Sequence, residues 1–124
     1  MAEDEDVVRQ MLARLLSTAG YRTLEARNGT EALRMATFAY PYLHLVITDV
    51  VMPELDGRAL GQRLRERFPS LPVLYISAYP ADDLFHRGAP STTSPYLQKP
   101  ILPEELLRTV QQLLTGAREQ TLQA

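Results

Sequence analysis

Leu45-Val46-Ile47-Thr48-Asp49 decides the reading of this chain, and it runs directly into Val50-Val51-Met52-Pro53-Glu54-Leu55-Asp56-Gly57. Leu45-Val46-Ile47 is a short apolar run within residues 43–48, suited to a strand covered on both faces, and Asp49 stands at its exit. Pro53, Asp56 and Gly57 mark the following stretch as a loop. A strand covered on both sides belongs in a parallel sheet between two layers of helices. The rest of the chain supplies that cover.

Upstream, Val8, Met11, Leu12, Leu15, Leu16 and Ala19 recur at helical spacing, with Asp6 as the N-cap and Gly20 as the stop. Residues 21–26 read as a half-polar strand closed by Asn28-Gly29. A second helix from about Thr30 buries Ala32, Leu33, Ala36 and Tyr40, and Pro41 ends it. Downstream, a third helix carries Leu60, Leu64 and Phe68 on one face and stops at Pro69. Residues 73–77 form a further buried strand. Residues 78–94 are the least regular, with at most one short helix near Asp82 to Arg87. Tyr96 to Gln98 is a brief strand before Lys99-Pro100. Pro103 opens a last helix that buries Leu106, Leu107, Val110, Leu113 and Leu114 and that Gly116 stops. Residues 1–116 therefore form one domain and residues 117–124 a frayed tail.

Alternating strands and helices predict a parallel sheet with helices on both faces. In such sheets ligands sit beyond the carboxyl ends of the strands. Those ends are Asp49, Ser77 and, just past the last strand, Lys99. The bulk numbers are those of a globular domain: 124 residues, 45% hydrophobic, 23% charged, net charge -2. They give no reason to expect a nucleic-acid or membrane-surface partner, and no apolar run is long enough to span a membrane. The acidic start is not a secretory signal, and the absence of cysteine excludes disulfides, so a cytoplasmic location is expected.

Taken singly, Asp49 reads as a turn residue, Ser77 as a satisfied hydroxyl, Lys99 as a solvated side chain and Glu3-Asp4 as helix-start charge. Their joint placement at one sheet edge outweighs those readings. A carboxylate attacks a phosphoryl group when something neutralises the charge that builds up. Mg²⁺ serves this role with only one or two protein carboxylates, which Asp49 and an acid from Glu3-Asp4 would supply. Lys99 would add a compact charge and Ser77 a hydroxyl donor. Of the 13 basic residues only Lys99 is lysine, so a chain that otherwise uses Arg keeps its one lysine here.

Val46-Ile47-Thr48-Asp49-Val50-Val51-Met52-Pro53 with Asp56-Gly57 resembles the phosphoacceptor strand and loop of response-regulator receiver domains. Leu74-Tyr75-Ile76-Ser77-Ala78 is similar to that family's fourth strand, Tyr96-Leu97-Gln98-Lys99-Pro100 to its lysine motif, and Glu3-Asp4-Glu5 to its acidic pair. The resemblance implies a flavodoxin-like doubly wound parallel sheet and Mg²⁺-dependent phosphorylation of Asp49. It implies Lys99 as the phosphoryl clamp, Ser77 and Tyr96 as a switch pair, and a cis Lys99-Pro100 bond. Asp4 would bind the metal directly, Glu3 through water, and the Val51 carbonyl would complete the protein ligands. The implied partner is a sensor histidine kinase or phosphotransfer protein, and the segment after Ser77-Ala78-Tyr79 is similar to receivers attached to hybrid sensor kinases.

One departure from the pattern stands out: only Met1 and Ala2 precede Glu3, so the usual first, central strand is missing. About five buried apolar side chains would go with it, each worth ~1.5–3 kcal/mol. Either the sheet closes up or re-pairs within the chain, or a second copy covers the gap; the expectation favours a homo-oligomer. Two other readings compete with the phosphoacceptor. One is a degenerate receiver acting as an unphosphorylated interaction module. The other is a phosphatase similar to haloacid dehalogenases, which needs an acid two residues after the nucleophile, where this chain has Val51.

Overall fold

A computed structural model of the chain describes residues 1–3, 5–40, 42–50, 56–78 and 95–123, with side chains described as far as residue 115. The chain enters α1 (Asp6–Thr18), α2 (Gly29–Ala39), β1 (Val46–Asp49), α3 (Gly57–Arg67), β2 (Val73–Ser77), β3 (Tyr96–Gln98) and α4 (Pro103–Gln123) in that order. The sheet is parallel in the order β1-β2-β3, with Asp49 opposite Ile76 and Ser77 opposite Gln98. Thr48, Tyr75 and Tyr96 share one cross-strand row.

Side chains alternate across a strand, so each face of the sheet has its own core. On one face Leu12 and Leu16 of α1 and Leu106 and Val110 of α4 pack with Ile47, Leu74, Ile76 and Leu97. On the other, Ala32, Leu33 and Ala36 of α2 and Leu60 and Leu64 of α3 pack with Val46, Ala2 and Ala26. The helix stripes expected from periodicity hold at these residues. Met11, expected in the core, is exposed, and Arg9 and Ala13 are buried on α1 in addition to the leucines.

The start of the sheet differs from expectation. No regular strand precedes the acidic residues, yet residues 1–3 occupy the place beside β1. Ala2 forms parallel bridges to both Ala26 and Thr48. Its N–H donates to the Ile47 carbonyl at 2.7 Å, and its carbonyl accepts from Asp49 N at 2.9 Å. On the other side Glu3 N donates to the Ala26 carbonyl at 3.0 Å and Ala26 N to the Met1 carbonyl at 2.8 Å. Residues 1–3 thus take the place of a strand's carboxyl-terminal end, and β1 is paired there. The expected strand over residues 21–26 is reduced to a single bridge at Ala26, which pairs with Ala2.

Local signals set the helix ends. The Asn28 side chain caps α2 by accepting from Glu31 N at 2.8 Å, and Asp56 caps α3 by accepting from Ala59 N at 2.9 Å. Gly20, at φ 97°, turns the chain out of α1 in a conformation open chiefly to glycine. Glu5 rather than Asp6 is the N-cap of α1, and its side chain makes no capping bond. Gly116 does not stop α4, which continues to Gln123. One interior glycine costs only ~1 kcal/mol relative to alanine, and Ala117, Arg118, Glu119 and Gln120 are good helix formers. Pro41 and the short helix expected near Asp82 to Arg87 lie outside the described residues.

Candidate phosphoacceptor site

Asp49, Ser77 and Lys99 meet at the carboxyl edge of the sheet, as their places at successive strand exits required. Asp49 closes β1 and is 5% exposed; Ser77 closes β2 and is fully buried. The Ser77 carbonyl accepts from Lys99 N at 2.6 Å, which ties the residue after β3 to the end of β2. The Lys99-Pro100 bond is cis.

The Lys99 ammonium donates to Asp49 Oδ2 at 2.9 Å and to both oxygens of Glu3, at 3.0 and 3.2 Å. Glu5 Oε1 lies 3.9 Å away in a looser ion pair. Glu3 is fully buried, and it reaches the site because the pairing of Ala2 with Thr48 sets it beside the end of β1. The role expected for Glu3 is at the metal, through water. In this structure its carboxylate contacts Lys99 directly.

Burial, and next the Asp49 carboxylate within hydrogen-bonding reach, push the Glu3 carboxyl up from 4.5 to about 7, against the pull of Lys99. Burial alone would lower Lys99, but its bonds to Asp49 and Glu3 prevail and hold it above its ordinary value. Two buried carboxylates facing one ammonium leave an excess of negative charge in a poorly solvated place. Oxygen donors with unbalanced negative charge fit a hard divalent cation such as Mg²⁺. Among the described residues no group of three or more His, Cys, Asp or Glu is placed to hold a metal. Asp4 and Val51, expected as ligands, lie outside the described residues.

Tyr96 opens β3, half-buried, beside Tyr75 and Val50. Burial raises the phenols of both Tyr75 and Tyr96 above their ordinary value. Gly57 stands where a methyl group would collide with the Asp49 backbone carbonyl, and its N–H donates to the Val50 carbonyl at 2.9 Å. The beginning of α3 is thereby seated directly on the end of β1. Arg9 was missed by the sequence reading: it is buried on α1, and its guanidinium reaches the Glu3 carbonyl at 3.1 Å. Its i+3 spacing from Asp6 was the available signal, but an arginine on a helix reads first as solvated.

The profile of the response regulator receiver domain matches residues 1–111. The chain is 37% identical over 115 residues to the sensor kinase CckA of Brucella abortus, covering 92% of this chain and 12% of that protein. It is 34% identical over 114 residues to the transcriptional regulatory protein CssR of Bacillus subtilis, covering 92% of this chain and 49% of that one. The chain therefore spans about half of one relative and a small part of the other. Among solved structures, the receiver domain of the hybrid histidine kinase CckA superposes with a TM-score of 0.77 at 39% identity, covering 91% of this chain and 94% of that one. Among the described residues no helix is long and apolar enough to cross a membrane.

Proposed function

Because the chain belongs to the response regulator receiver domain family of two-component systems, we propose that it accepts a phosphoryl group on Asp49 and passes the change on to a protein surface. The observation that carries this reading is the placement of a buried Asp49, at the end of a parallel strand, 2.9 Å from Lys99 Nζ with Ser77 at the next strand end.

In the reaction an Asp49 oxygen attacks phosphorus in line with the donor. The oxygen–phosphorus bond forms as the donor's bond to phosphorus breaks, and the donor leaves with that electron pair. Mg²⁺, when bound, neutralises charge shared between the carboxylate and the phosphoryl oxygens. Asp49 and Glu3 are assigned to its acidic side, together with Asp4 and the Val51 carbonyl. Lys99, which holds Glu3 and Asp49, turns its ammonium toward one phosphoryl oxygen, and the Ser77 hydroxyl donates to another. Movement of Ser77 then alters the space available to Tyr96. The donor is a phosphohistidine on a sensor histidine kinase or phosphotransfer protein.

Mass measurement after incubation with Mg²⁺ and a small acyl phosphate tests the reading. The parent chain should gain one phosphoryl group and Asp49→Asn none. A gain that persists in Asp49→Asn, or a parent that never gains mass, refutes it.

A further inference from the structure

We propose that Arg9 is a positioning residue for the acidic half of the site, holding residues 1–3 in the sheet so that Glu3 stays beside Lys99 and Asp49. This inference rests on the phosphoacceptor reading above. Besides its backbone bonds, the segment carrying Glu3 is held by the Met1 ammonium on the Leu24 carbonyl at 2.7 Å and by Lys99 on the Glu3 carboxylate, neither of which fixes the Glu3 carbonyl. Its bridges to Thr48 and Ala26 centre on Ala2, with the bonds to Ala26 made by Met1 and Glu3, and its apolar contribution comes from Ala2 and a partly buried Met1. The chain then enters α1 through Glu5, an N-cap whose side chain makes no capping bond.

Arg9 joins the three parts that meet at this point. Nη1 donates to the Glu3 carbonyl at 3.1 Å, Nη2 to Asp6 Oδ1 at 2.6 Å, and Nε lies 3.6 Å from Glu25 Oε1. Those partners belong to the short segment, to the first residue of α1 and to the extended chain leading to Ala26. The Glu3 carbonyl is the last acceptor of the segment, in a residue with no exposure, and a buried carbonyl must find a donor. A guanidinium supplies that donor while two of its other N–H groups face carboxylates, which one ammonium cannot do with the same geometry. Arg9 itself is 6% exposed, so its charge is retained inside by these partners rather than by water. The Glu3 side chain leaves the same backbone in the other direction, to Lys99. Arg9 therefore acts on the site through the backbone that carries Glu3.

The test compares Arg9→Met, Arg9→Lys and a core variant, Val110→Ala, matched as a destabilised control away from residues 1–3. Mn²⁺ affinity is measured by spin resonance and amide exchange by NMR. Arg9→Met should weaken Mn²⁺ binding about tenfold or more, the usual scale for residues that orient a metal ligand. Exchange should speed up selectively at the Ala2, Glu3 and Asp49 amides, whose bonds cross the segment, relative to Leu74 and Ile76 of β2. Arg9→Lys, with the charge but without the fork, should recover little, and Val110→Ala should leave Mn²⁺ affinity, and exchange at residues 1–3 relative to β2, at parental values. Unchanged affinity and exchange in a folded Arg9→Met, or exchange raised evenly throughout the sheet, overturns the proposal. If Arg9→Met does not fold, Arg9→Lys is judged by the same two measures. A parent that neither binds Mn²⁺ nor takes up phosphoryl refutes the phosphoacceptor reading, and the exchange pattern still judges Arg9.

Discussion

Residues 1–3 and β3 are equally short and flank the strands that end in Asp49 and Ser77, and each side brings one charged partner to Asp49. β3 lies at the end of the sheet and is fastened by oil: Leu97 is buried with Ile76, Ile101 and Leu106. Residues 1–3 lie inside the sheet and are fastened mainly by polar bonds: four along the backbone, the Met1 ammonium to the Leu24 carbonyl, Arg9 to the Glu3 carbonyl, and Lys99 to the Glu3 carboxylate. Lys99 follows the first kind of anchor, Glu3 belongs to the second. Apolar burial tolerates small displacements, whereas hydrogen bonds weaken steeply with geometry. The acidic side of the site is consequently the part whose position can be lost without unfolding the domain.

The strongest way to break this contrast is Leu97→Ala. It should cost about 2–5 kcal/mol in urea unfolding, as a truncated core leucine does. A smaller loss, under about 1 kcal/mol, would mean that β3 is not held by its apolar side chain.

A pH series sharpens the other half. The Glu3 carboxyl stands at about 7 in the folded chain against 4.5 when unfolded. An acid raised on folding stabilises fully below its unfolded value, and that contribution disappears as pH rises through the folded one. Metal-free stability should therefore fall between pH 4.5 and about 7, by on the order of 3 kcal/mol, and level off above. Glu3→Gln should flatten that slope and be more stable than the parent at pH 8. An unaltered slope in this variant would mean that another group governs it.

Lys99→Arg asks whether β3 delivers a point charge or any cation. A planar fork does not fit between the Glu3 and Asp49 carboxylates as the ammonium does, so phosphoryl uptake should slow about tenfold, ~1.4 kcal/mol in barrier. Parental rates would make Lys99 an ordinary counter-ion. The mildest change is Ala2→Gly, which removes one methyl group and loosens the backbone at a cost of about 1 kcal/mol. Its effect on Mn²⁺ affinity should exceed that of Leu97→Ala, although its effect on stability is smaller. The reverse order would remove the distinction between the two sides.

Much of this was legible from residue patterns. The apolar runs of β1 and β2 and the stripes of α2, α3 and α4 were long enough to carry a period, and Asp49, Ser77 and Lys99 fall at the exits those elements imply. Residues 1–3 were not legible as sheet, because two apolar residues show no alternation. Their pairing depends on the distant Ile47 and Ala26. Residues 21–26 suggested a longer strand than forms, since strand length is set by the partner as well as by the segment. Arg9 and the close seat of Gly57 on Asp49 are tertiary facts that local pattern does not encode.

The tyrosine row across the sheet gives the molecule its own optical signal. Tyr75 and Tyr96 are paired neighbours, and Tyr75 is buried with its hydroxyl end where a side chain on Gly61 would collide. The sequence contains six tyrosines and no tryptophan, so no indole masks phenol emission or near-ultraviolet dichroism. Tyr42 is 84% exposed and Tyr40 stacks on Phe68, both on segments removed from the carboxyl edge. Rearrangement at Ser77 that reaches Tyr96 would change the asymmetric field around a ring already held next to a second one. The event can then be followed in the unlabelled protein as a chiral signal in the near-ultraviolet phenol band, with Tyr96→Phe as the blank.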